Sequence, residues 1–183
     1  MDAVDRRSLI RRLNRFCNRS LESAAGLCLS RTHYEVAIEH VLVKLLDDPT
    51  ADVQAILTHF EIEPARLQKA LQRALEDFKS GNAAKPVFSP RLIEWLQETW
   101  MIASIDLNLS EIRSGALLLA MVRDLGRFGY GFGEDVLQPV RAEELKQKFF
   151  DITAKSSEGE AGKAGAKGEA AGRGAETALG RFT

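Results

Sequence analysis

The residues able to ligate a metal or move a proton are few: His33, His40 and His59, Cys17 and Cys28, and acidic pairs such as Asp47-Asp48. Their spacing assembles no catalytic centre. The histidines stand in neither a His-x-x-x-His nor a Cys/His pattern, the arrangements that would aim two ligands at one ion from a single helix face. His40, preceded by Glu39, reads as a capped structural residue. Asp47-Asp48, next to Pro49, reads as a solvated helix end. Cys17 and Cys28 lie eleven residues apart, about 16 Å along a helix, too far for a disulfide unless that helix breaks. They read as small core residues in a reducing compartment. Nucleotide chemistry has equally little to work with. Gly162-Lys163 is followed by Ala164, so the hydroxyl a phosphate loop needs for magnesium is missing, and no strand precedes it. The run Gly126–Gly133, GRFGYGFG, has no lysine. It reads as a mobile connection that exposes Phe128, Tyr130 and Phe132 as a minor contact surface. No metal site and no cofactor is expected in this chain, and no enzymatic activity.

Binding is the chemistry the remaining residues suit. Leu9, Ile10 and Leu13 line one side of the segment Asp5–Asn14, with Arg6, Arg7, Arg11 and Arg12 on the other. An apolar stripe with a polar rim is what helix-in-groove recognition requires. The same stripe also serves to pack the helix onto its own domain, and both readings stand. Arg15 and Arg19 continue the basic face, which is either solvated or matched to an acidic partner helix; phosphate binding ranks third, because no aromatics are interleaved. The chain as a whole carries a net charge of -1, which offers no general attraction for nucleic acid. No apolar run reaches the roughly 20 residues of a membrane span, and charges scattered through MDAVDRRSLIRRLNRF rule out a signal-peptide core. The expected location is the cytoplasm.

The elements that must position these residues are helices. Val53, Ile56, Leu57 and Phe60 recur at helical spacing, with Asp52 placed to cap. Leu67, Leu71, Leu75 and Phe78 follow Pro64 and end before Gly81, and Ser89-Pro90 opens a run through Ile93, Leu96 and Trp100. Leu145, Phe149 and Ile152 mark a last helix. Sustained period-two alternation is absent, so strands are not expected. The expected class is all-α. A shift of 75 residues lays Leu21 on Leu96, Cys28 on Ala103 and Leu42 on Leu117, and a shift of 78 lays Leu67 on Leu145. That is the pattern of two four-helix units packed as a pseudo-twofold bundle. In such a bundle the first and last helices often neighbour each other, which makes Leu145 and Phe149 candidates for the wall opposite Leu9 and Leu13. From Ala154 to Thr183 the chain is mostly Ala and Gly interleaved with Lys and Glu. That composition buries too little to order itself. The expected division is a folded domain over 1–153 and a flexible linker over 154–183, leading toward a further module.

An amphipathic helix followed by Ile38-Glu39-His40-Val41-Leu42 resembles the first repeat of the Clp N-terminal domain family; the second repeat departs from it, with Ser114-Gly115 in place of Glu-His. The stretches Leu13–His40, Gly81–Gln97 and Ile112–Val122 are similar to the ClpV (TssH) branch, the AAA+ ATPases of type VI secretion, and the resemblance covers residues 5–152. It implies a pseudo-twofold Clp N-domain with an extra leading helix, cut just before the ATPase modules. It further implies a substrate-recognition role, binding an N-terminal helix of the large sheath subunit (VipB, also called TssC) so that contracted sheaths are disassembled. The groove residues it points to are Leu9, Ile10, Leu13 and Phe16, with Leu145 and Phe149 opposite. ATP and magnesium are expected only in the missing modules, as is hexamer formation, the isolated domain being a monomer. The alternative is a general Clp chaperone N-domain that takes adaptors or unfolded segments.

Overall fold

Helix follows helix along the computed structural model, which describes residues 3–159. The order is α1 (Ala3–Arg11), α2 (Arg15–Ser30), β1 (Glu35–Val36), α3 (Ile38–Leu45), α4 (Asp52–His59), α5 (Pro64–Glu76), β2 (Val87–Phe88), α6 (Pro90–Met101), α7 (Ser114–Arg123), α8 (Leu125–Phe128), α9 (Ala142–Gln147) and α10 (Phe149–Ile152). A π-helical turn, Ile102–Asp106, prolongs α6. The all-α expectation and the duplication both hold. Arg15 and Pro90, which open α2 and α6, stand at the offset read from the sequence, as do Pro64 and Ala142, which open α5 and α9. In each half a long helix lies against the buried one that follows, α2 on α3 and α6 on α7.

The expectation of no strands needs a small correction. β1 and β2 form a parallel two-residue ladder, with Glu35 opposite Val87 and Val36 opposite Phe88. A second, shorter parallel bridge joins Leu13 to Ile112. These two pairings are pseudo-twofold mates. In each, the residues leading into the long helix of one half pair with the link between the first two helices of the other. The Asn14 amide donates to the Ile112 carbonyl at 3.0 Å, as the Ser89 amide donates to that of Val36 at 2.9 Å. Both donors are also helix caps: Asn14 Oδ1 accepts from the Cys17 amide, and Ser89 Oγ from that of Leu92. Two-residue pairings carry no alternation, which is why the sequence shows none.

The core runs through both halves. Trp95 is fully enclosed and its indole N–H donates to the Leu117 carbonyl at 2.9 Å, fixing α6 on α7. His40 is buried in the first half, as expected for a satisfied residue. Its Nδ1 accepts from the Ala37 amide at 2.9 Å, so its Nε2 carries the proton and faces His33 Nδ1 at 2.8 Å. Phe78 covers the pair. Both cysteines are buried and free.

Four further expectations are corrected. Asp52 does not cap its own helix: it is the first residue of α4, and its carboxylate turns to Arg113. Helix α5 ends at Glu76, well before Gly81, which sits in a left-handed turn and donates its amide to Thr32 Oγ1. In Gly126–Gly133 only Tyr130 is exposed among the aromatics; Phe128 and Phe132 are core residues, and the segment is tied down by the Gly133 amide on the Gly129 carbonyl at 2.7 Å. Packing also continues past residue 153: Ser156 and Glu158 are buried, and the Ser157 amide donates to the Thr50 carbonyl. Residues 154–159 therefore belong to the folded body, because two polar side chains, Ser156 and Glu158, are buried with hydrogen-bond partners where apolar content alone predicted no packing. The rest of the expected linker lies outside the described residues.

Candidate peptide-docking site

Helix α1 is short and strongly basic, and its stability comes from packing rather than from its own turns. Leu9 and Leu13 are the anchors, each 7% exposed, and together they contribute about 3–6 kcal/mol of burial. Ile10 and Phe16 are only partly buried, packed against the edge of the core with an accessible side. Past Arg11 the chain turns tightly, the Arg12 and Leu13 amides donating to the Leu9 and Ile10 carbonyls. It then meets Ile112 in the bridge described above. Helix α1 lies against α6. The Arg12 guanidinium sits 4.7 Å from the centre of the Trp100 ring, a cation–π contact that pins the elbow between α1 and α2 to the exposed flank of α6. Arg7, Arg11, Arg12, Arg15 and Arg19 are all exposed and form a basic margin beside Ile10 and Phe16.

Of the six residues expected to line a groove, four come together and two do not. Leu9, Ile10, Leu13 and Phe16 share the α1–α2 elbow, Leu9 and Leu13 facing inward and Ile10 and Phe16 toward the surface. Leu145 and Phe149 are fully enclosed and form no outer wall. The reason is topological: α9 packs on α7 and α10 on α4, so the last helices are not neighbours of α1. The surface facing α1 comes instead from α6, where Trp100 is half-buried. Ile112 was also missed, having no periodicity to flag it, and so was Glu158.

Beneath the elbow lies a buried polar cluster. Asn14 Nδ2 donates to Glu158 Oε1 at 2.9 Å while Asn14 Oδ1 caps α2. The same carboxylate accepts the Asp52 amide at 2.7 Å, the Ser114 amide at 2.8 Å and the Ser114 hydroxyl. Glu158 thus collects donors from the starts of α2, α4 and α7, where unpaired N–H groups and helix dipoles favour an anion. Burial, followed by the nearby Asp52 charge, pushes its carboxyl upward, and the Ser114 and Asn14 hydrogen bonds oppose that. Burial and the charges of Glu158 and Asp52 also push the Cys17 thiol well up, leaving it unreactive.

A separate cleft of about 670 Å³ opens where α3 and α6 begin, walled by Tyr34, Glu39, Phe78, Lys79, Pro90 and Glu94. Among the described residues no helix is long and apolar enough to cross a membrane, and no three His, Cys, Asp or Glu side chains converge as a metal site.

Comparison with known proteins agrees with this architecture. The model of the Clp repeat (R) N-terminal domain matches residues 12–130. The AAA+ ATPase ClpV1 of Pseudomonas aeruginosa is 26% identical over 189 residues, covering 99% of this chain and 21% of the relative, so the chain spans about a fifth of that protein. Among solved structures, a ClpV N-domain in complex with VipB peptide is 35% identical with a TM-score of 0.77, over 83% of this chain and 93% of that one. The N-domain of ClpV from Vibrio cholerae is 34% identical, also with a TM-score of 0.77, over 84% of this chain and 92% of that one. The chain belongs to the Clp repeat (R) N-terminal domain family and, within it, to the ClpV N-domains.

Proposed function

We propose that this domain recognises substrate for a type VI secretion ATPase, docking an N-terminal helix of the VipB (TssC) sheath subunit along α1 so that contracted sheaths are taken apart and reused. The observation that carries this reading is the likeness, at 35% identity over almost the whole fold, to a ClpV N-domain in complex with VipB peptide. The geometry supports α1 as the docking element. Together with the start of α2 it presents Ile10 and Phe16 beside a row of exposed arginines, an apolar strip with a charged margin. The domain itself is non-catalytic; ATP, magnesium and hexamer formation belong to modules outside this sequence, and the whole machine works in the cytoplasm.

The test is calorimetric titration of the domain with a synthetic VipB N-terminal helix. Micromolar binding that falls at least tenfold in a folded Ile10→Asp variant is the expected result, a loss of about 1.4 kcal/mol or more. Undiminished binding by that variant overturns α1 as the docking element. Equal binding of unrelated unfolded peptides supports the other reading, a general Clp chaperone N-domain.

A further inference from the structure

We propose that Glu158 is a positioning residue for the docking helix: through Asn14 and Ser114 it holds the α1–α2 elbow in place, which makes the segment after α10 part of the docking apparatus. The inference rests on the docking role proposed for α1.

Glu158 lies in a stretch of low apolar content, yet it is one of the most completely buried acids in the molecule. Its two oxygens meet four N–H and O–H donors at the starts of three helices, with the Cys17 thiol a fifth and longer contact at 3.9 Å. Two of the residues that supply those donors, Asn14 and Ser114, lie where the elbow is fastened, and the third, Asp52, ties the cluster to the start of α4. Asn14 is the residue at which α1 gives way to α2, and both ends of its amide side chain are engaged, Oδ1 accepting from the Cys17 amide and Nδ2 donating to Glu158. Ser114 follows Ile112 by two residues, and Ile112 is the bridge partner of Leu13, with its amide donating to the Arg12 carbonyl at 2.6 Å. The elbow is therefore gripped from both sides, by its own cap residue and by the strap across from it, and one carboxylate holds both. The neighbouring buried acid, Asp52, is not free to take over, its carboxylate being spent on Arg113 and the Gly115 amide. Removing the Glu158 carboxylate strands the Asp52 and Ser114 amides and the Asn14 side chain in a buried site, where leaving donors unpaired is costly. The relaxation open to them is a shift of the elbow toward water, and Leu9, Ile10, Leu13 and Phe16 move with it.

This arrangement also gives the segment around Ser156–Gly159 a regulatory position. A change that draws Glu158 out of the cluster loosens the docking helix without touching it.

The test uses the whole 183-residue chain as wild type, Glu158→Ala and, as a stability control, Ile62→Val. Three readouts are taken: thermal midpoint, amide hydrogen exchange, and affinity for a synthetic VipB N-terminal helix. In Glu158→Ala, exchange at the Asn14, Cys17 and Ser114 amides should rise at least tenfold while that at Leu71 in α5 changes little. Peptide affinity should fall at least fivefold. Ile62→Val should lower the midpoint and leave the affinity unchanged, separating positioning from general destabilisation. Should Glu158→Ala fail to fold, Ser114→Ala removes one hydrogen bond only and should show the same pattern at smaller scale. Unchanged exchange at the elbow overturns the proposal, as does raised exchange with intact affinity. Raised exchange in a domain whose wild type ignores the peptide overturns the docking role instead and, with it, this extension of it.

Discussion

The carboxylate of Asp52 and the guanidinium of Arg113 meet in a two-point bridge of 2.9 and 2.8 Å, with the Asp52 side chain wholly out of contact with solvent. The pair joins the first turn of α4 in one half to the start of α7 in the other. Burial works against the Arg113 charge, but the Asp52 hydrogen bonds and charge outweigh it and raise the group further above its already high value. Arg113→Met leaves Asp52 as a buried, poorly compensated anion and should destabilise the domain by about 3–5 kcal/mol. The double variant Asp52→Asn with Arg113→Met should recover part of that loss. Urea unfolding of the wild type, Arg113→Met, Asp52→Asn and the double variant measures the coupling.

Gly115 is a close-packing point. A Cβ added there would lie 2.8 and 2.9 Å from two ring carbons of Phe149 and 3.0 Å from Asp52 Oδ2. Gly115→Ala should therefore cost about 1–3 kcal/mol. Trimming the ring in Phe149→Leu should be destabilising alone, and less so in the Gly115→Ala background. A double-mutant cycle by chemical denaturation reads that non-additivity.

Acid should weaken the first half of the fold. Burial, then the neighbouring His33 and Arg31, hold His40 down to about 4. Burial and Arg31 lower His33 as well. The unfolded chain binds the proton more readily, so the stability carried by neutral His40 is complete above the free histidine value and drains away as pH falls toward about 4. The loss by pH 5 is about 2 kcal/mol relative to pH 7.5. Protonation also places a hydrogen on Nδ1, which now accepts the Ala37 amide. Glu158 pulls the opposite way, since its raised value favours the acid form in the fold. A His40→Gln comparison isolates the histidine. Urea midpoints from pH 7.5 to 5 should slope less in that variant.

Leu13 and Ile10 should respond differently to the same substitution. Leu13 is an anchor, so Leu13→Asp buries a charge beside the Ile112 bridge and should cost more than 3 kcal/mol of stability. Ile10, half-exposed, should cost about 1 kcal/mol or less while still losing peptide affinity. Thermal midpoints measured beside peptide titrations separate the two.

Helices with strong periodicity were legible in the sequence because one face of each is buried: α4, α5 and α6 begin at or next to Asp52, Pro64 and Ser89-Pro90 as read. The duplication was legible through apolar positions alone. The far side of the docking element was not, because which helix lies beside α1 depends on bundle topology, and no local pattern records that α9 and α10 pack on α7 and α4. The aromatic residues of GRFGYGFG misled for a related reason: glycine spacing signals turns, and Phe128 and Phe132 are buried by contacts made elsewhere in the chain. Glu158 was hidden by its setting, since composition averages over a window and its burial comes from polar partners more than forty residues distant.

The two parallel pairings, Leu13 with Ile112 and Val36 with Phe88, have an implication for half-length chains. Each repeat lends its lead-in to the other, which is the geometry of an exchanged dimer joined head to tail into one polypeptide. A chain ending at Ser80 would keep the Leu13 lead-in and the Val36 acceptor while losing both of their mates. Two such chains can supply each other's missing strand, so the first repeat expressed alone should be either unfolded or a symmetric pair, and never a folded single copy.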